Sequence, residues 1–75
     1  MSYSLTKIDR KILQPYETHL KRALDGYVRG IYEHDLNTLE PIYAKFGHHL
    51  ENRHCSSCVL GMLIFIANKY FNNGE

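Results

Sequence analysis

The stretch His48-His49-Leu50-Glu51-Asn52-Arg53-His54-Cys55-Ser56-Ser57-Cys58 gathers three imidazoles and two thiols into eleven positions. Zinc takes four tetrahedral ligands from thiolate sulfur and imidazole nitrogen, and Cys-x-x-Cys is the usual spacing of a zinc knuckle. The candidate ligands are Cys55, Cys58, His49 and His54, with His48 as a substitute for His49. Two features weigh against a metal. His54 directly adjoins Cys55, and no second Cys-x-x-Cys or His-x-x-x-His pair lies at a typical distance. The plainer reading makes the thiols buried or half-buried packing groups next to solvated histidines.

The same residues also read as a redox dithiol. A cysteine just before a helix, with a second one turn inside it, meets unpaired amide N–H groups and the positive dipole end, which stabilise a thiolate. Cys55 fits that position. The oxidoreductases that use this device place the motif after a buried strand, however, and no strand pattern precedes Cys55. Other catalytic equipment is missing from the sequence: there are no carboxylates paired in an apolar frame, no Gly-rich phosphate loop and no nucleophile motif with a base. Glu51 and His54 read as a solvent-facing pair. The expectation is a protein that is not an enzyme and carries no cofactor, or zinc alone.

Nucleic-acid binding would rest on the first helical region. On one continuous helix, Lys7, Arg10, Lys11, Lys21, Arg22 and Arg29 share roughly 120° of one face. Six basic residues meet four acidic ones before Asp35, a local balance of +2, so a solvated outer face explains the stripe equally well. No zinc-finger spacing, helix-turn-helix signature or exposed aromatic pair supports base reading.

The elements that must position these groups read as helices. From Leu5 onward, Ile8, Ile12, Tyr16, Leu20, Leu24, Tyr27 and Ile31 recur at steps of four or three, the helical period. Thr6 with Asp9 resembles a capping box, with Ser4 as an alternative cap. Pro15 cannot donate to the carbonyl of Lys11, which predicts a short helix to Leu13 and a second one beginning with Pro15 near its first position. Gly26 and Gly30 weaken the far end, so fraying is expected near Glu33 and His34, with a turn around Asp35. Asn37 or Thr38 then caps a helix with Pro41 in or next to its first turn and Leu39, Ile42, Tyr43 and Phe46 on its apolar face, and Gly47 ends it in a left-handed conformation. Ser56 or Ser57 caps a last helix that runs to Tyr70 or Phe71, before Asn72-Asn73-Gly74.

That last helix lacks a polar face: Val59, Leu60, Met62, Leu63, Ile64, Phe65 and Ile66 point all around the axis, with Gly61 as a small gap. A chain of 75 residues buries only about 60% of the surface its unfolded form exposes, so some apolar area is expected to remain for a partner. The predicted interface is Val59, Met62, Leu63, Ile66 and Tyr70, with Tyr32 beside the frayed helix end. The other tyrosines suit the rim of a small core.

Composition bounds the rest. With 44% hydrophobic and 23% charged residues and a formal charge of +1, the chain is an ordinary globular one with no global field for nucleic acid or anionic membrane. Two cysteines are too few for a disulfide scaffold, and the first residues lack a signal-peptide pattern, which suggests a reducing, cytoplasmic setting. The apolar run from Cys58 to Ala67 is far shorter than the roughly 20 residues that span a bilayer.

The expected fold is all-α, a single helical domain over residues 1–75 built as a small bundle of three to four helices with the apolar C-terminal helix at its centre. The expected function is a small accessory, regulatory or inhibitory module that docks on a larger protein or self-associates. Its size suits a bacteriophage or mobile-element protein. The rival is a zinc-stabilised nucleic-acid-binding module that uses the His/Cys cluster and the basic face.

Overall fold

A chain in which Pro15 removes one amide donor cannot continue a single α-helical ladder through that point. In the computed structural model, which describes residues 4–72, the ladder stops at this proline. Helix α1 spans Lys7–Leu13, a 3-10 turn follows at Gln14–Tyr16, and α2 spans Glu17–Leu24. The break after Leu13 is as predicted, but Pro15 sits inside the 3-10 turn and not at the first position of the next α-helix. Thr6 caps α1: its hydroxyl accepts the Asp9 N–H at 3.1 Å while Asp9 Oδ2 accepts the Thr6 N–H at 3.1 Å.

Helix α2 ends nine residues earlier than the expected fraying near Glu33. Gly26 adopts φ +82. Its N–H reaches the Ala23 carbonyl at 2.8 Å, and the Tyr27 N–H reaches the Arg22 carbonyl at 3.0 Å. This pair of bonds is a Schellman motif, so Gly26 terminates the helix and does not merely weaken it. Helix α3 (Glu33–Lys45) starts where a frayed end was expected, because the Asp35 carboxylate accepts the Tyr32 N–H at 3.0 Å and ties the first turn together. Pro41 consequently lies inside α3, not in its first turn. Gly47, at φ +87, is the predicted left-handed terminator. Helix α4 spans Ser56–Phe71, with Cys55 at its N-cap where a serine was expected.

Paired side chains give the helix directions. Asp9 meets Lys45 at 2.9 Å and Tyr16 meets Asp35 at 2.7 Å, so α1 and the 3-10 turn run antiparallel to α3. Tyr70, near the end of α4, gives its carbonyl to Arg10 at 3.0 Å and its hydroxyl to Glu17. Phe65 packs edge-on against Tyr43 and Phe46, with centroids 5.5 and 5.2 Å away, and Val59 lines a cleft with Leu36 nearer the start of α3, so α3 and α4 share one direction. Residues 46–55 therefore run back along α3, where Arg53 meets Glu40 at 2.8 Å and Glu33 at 3.6 Å.

The core is Leu13, Leu20, Ala23, Leu36, Leu39, Ile42, Val59, Met62, Leu63, Ile66 and Ala67, and α4 contributes the largest share of it. The architecture is the expected all-helical bundle, with three main helices and the first one split. The predicted apolar stripe on α1 and α2 needs correction. Ile8, Ile12, Leu24 and Tyr27 are exposed, while Asp9, Leu13, Leu20 and Ala23 face inward. A 3-10 turn winds about 120° per residue against 100° in an α-helix, and the ion pair between buried Asp9 and exposed Lys45 draws the Asp9 face toward α3.

Candidate functional site

The start of α4 holds the two thiols at one end of the bundle, while the return segment carries its histidines along the length of α3. Cys55 has an extended backbone at the N-cap, and its Sγ accepts the Cys58 N–H at 3.2 Å, the bond a serine or aspartate oxygen usually makes there. Ser57 Oγ lies 3.3 Å from the same sulfur. Hydrogen bonds from the Cys58 thiol, from Ser57 and from the Cys58 N–H lower the Cys55 thiol to about 7. The bond to Cys55 comes first in raising the Cys58 thiol, followed by burial and the negative charges of Cys55 and Glu51. Both sulfurs are free and both residues half-buried.

The histidines are spread along this return segment. His48 stacks on Tyr43 at 5.3 Å and meets the Phe65 edge at 4.7 Å. His49 lines an open groove of about 500 Å³ with Asn37, Glu40, Pro41, Ala44, Leu50 and Arg53. His54 lines a different cleft with Ile31, Tyr32, Glu33 and Leu36. Among the described residues no three His, Cys, Asp or Glu side chains converge where they could hold a metal, so Cys55, Cys58, His49 and His54 are not gathered into one tetrahedral set.

The positive stripe is not continuous either. Arg10 is half-buried against the Tyr70 carbonyl and ring, and Arg29 lies past the end of α2, 3.4 Å from the Tyr27 hydroxyl. Arg22 sits over the Tyr27 ring at 5.7 Å. Lys7, Lys11, Lys21, Arg22 and Arg29 are exposed. The helix break and the Gly26 terminator rotate these residues apart, which a single-helix projection cannot anticipate.

The predicted interface needs the largest correction. Val59, Met62, Leu63 and Ile66 are buried by the same chain, chiefly because α2 packs along that side of α4. Tyr70 is half-buried and bonded to Glu17. Tyr32 alone of the six is open to solvent, at 65% exposure, and stacks on His34 at 6.2 Å. The apolar area left outside lies elsewhere: Ile8 is 71% exposed and Ile12 38% on α1, and Leu24 is 45% and Tyr27 41% exposed at the end of α2. The expectation of an inward Ile8 stripe hid the α1 ridge, and an exposed Ile at i and i+4 carries no sequence signal of its own.

No family model, curated protein or solved structure matches this chain. Among the described residues no helix is long and apolar enough to cross a membrane.

Proposed function

We propose that this chain is a non-enzymatic interaction module that docks on a larger protein through the outer edge of α1. The observation that carries the proposal is the exposed Ile8–Ile12 ridge. Residues four apart on a helix lie side by side, so the two form one apolar strip. Covering a side chain such as Ile8 contributes about 1.5–3 kcal/mol, which makes a strip of two a useful anchor for a groove of matching shape.

Charge argues for the kind of partner. Lys7 and Lys11 are exposed along the same helix, beside the strip. A two-fold contact between copies would set these lysines against each other, whereas an apolar groove rimmed by carboxylates pairs with them. The occupant is therefore a different protein with an acidic rim, and the module acts by occlusion or scaffolding.

The test compares Ile8→Asp with the unchanged chain, because an exposed position tolerates the change without loss of fold, as circular dichroism verifies. Capture from the native cell should retain one protein on the unchanged chain and lose it on Ile8→Asp and Lys11→Glu, while sedimentation reports a monomer. Equal capture by Ile8→Asp, or a dimer that this substitution dissociates, refutes the docking proposal.

A further inference from the structure

Two thiols stand one turn apart at the start of α4, and the docking face on α1 makes no use of them. Residues three apart on a helix have Cα atoms about 5 Å apart, inside the window of about 4.4–6.8 Å that a disulfide requires. The extended backbone of Cys55, at φ −94 and ψ 108, folds its side chain back over the first turn, so that its sulfur lies 3.2 Å from the Cys58 amide nitrogen. Ser57 Oγ lies 3.3 Å from the same Cys55 sulfur. This is more than one cysteine at a helix end: a second thiol stands one turn away, its own amide bonded to the first sulfur, and both residues are half-buried, within reach of a small reagent.

The geometry points to a thiol–disulfide exchange couple, in which Cys55 attacks a low-molecular-weight disulfide and Cys58 resolves the adduct. In the first step Cys55 Sγ, as thiolate, bonds to one sulfur of the disulfide R–S–S–R. That S–S bond breaks, and R–S⁻ leaves and takes a proton. In the second step Cys58 gives its proton to solvent and its sulfur bonds to Cys55 Sγ, releasing the second R–S⁻. The two protein thiols lose two electrons and become one disulfide, and R–S–S–R gains them and becomes two R–SH.

The order of attack follows from the surroundings. The Cys58 thiol, Ser57 and the Cys58 N–H all favour a charged Cys55, while the negative Glu51 and Cys55 disfavour charge on Cys58. A resolving thiol that stays protonated until the adduct forms suits the second step. The resulting disulfide spans one helical turn, so it leaves the positions of α1, α2 and α3 unchanged.

The experiment treats the reduced chain with glutathione disulfide at about pH 7, quenches in acid and reads intact mass. The unchanged chain should become lighter by two hydrogens and carry no adduct. Cys58→Ser should hold one glutathione, mapped to Cys55. Cys55→Ser should react about fivefold more slowly than Cys58→Ser, the thiolate advantage of Cys55 reduced by the weaker nucleophilicity of a more acidic thiol. Iodoacetamide labelling of the unchanged chain gives the same ranking without any variant, so a Cys55→Ser chain that fails to fold does not end the test. Two stable adducts with no internal disulfide, equal labelling of both sulfurs, or purification with one tightly held zinc per chain overturns the proposal.

Discussion

Asp9 is the most deeply enclosed charged residue among those described, fully buried yet tied to Thr6 and to Lys45. A carboxylate in such a place persists only because hydrogen bonds and a cation replace its water. Asp9→Asn keeps the size and gives up the charge, and denaturant titration should show a loss of about 1–3 kcal/mol. An unchanged midpoint would mean the pair contributes nothing. Asp35 acts similarly at the start of α3. Burial alone would raise its carboxyl, but bonds from the Tyr32 N–H and the Tyr16 hydroxyl, with His34 and His19 nearby, hold it below its ordinary 3.8. Because the folded value is the lower one, this stabilisation is in place above 3.8 and is lost as pH falls through the folded value. The urea midpoint should therefore drop from about pH 5 to about pH 3 by less in Asp35→Asn than in the unchanged chain. An identical drop in both would remove Asp35 as a source of acid sensitivity.

Among the elements, α4 combines the most buried face with an unfilled position on its outer side. A Cβ at Gly61 would meet nothing within 4 Å, and Gly61 is exposed. A glycine inside a helix costs about 0.5–1 kcal/mol relative to alanine, so Gly61→Ala should raise Tm by about 3–6 °C. A lower Tm would show that a second backbone sits against Gly61 in solution. The helix boundaries carry a related lesson. Thr6 with Asp9, Pro15 after Leu13 and Gly47 were legible because each is a local hydrogen-bond or steric device acting within a few residues. Gly26 and Tyr32 with Asp35 are equally local, yet an apolar period that runs on to Ile31 masked the terminator.

On the scale of the whole molecule, the question is how much apolar surface three helices can cover. The chain shields Val59, Met62, Leu63 and Ile66 completely or nearly so, and leaves the edge of α1 and the end of α2 uncovered instead. Residues 46–55 make this economy work, since Arg53 pins the return segment to Glu40 and Glu33 while His48 caps the Tyr43 and Phe65 rings. The sequence by itself determined the helical class, the break at Pro15 and the place of the apolar last helix, because periodicity, caps and prolines act through neighbours in the chain. Only the tertiary structure decided which face of α1 turns inward, that His49 and His54 line different clefts, and where the surplus apolar area lies. Those outcomes depend on contacts such as Asp9 with Lys45 and Arg10 with Tyr70, whose partners are 36 and 60 residues apart, and no pattern confined to one helix records which distant side chain will meet it.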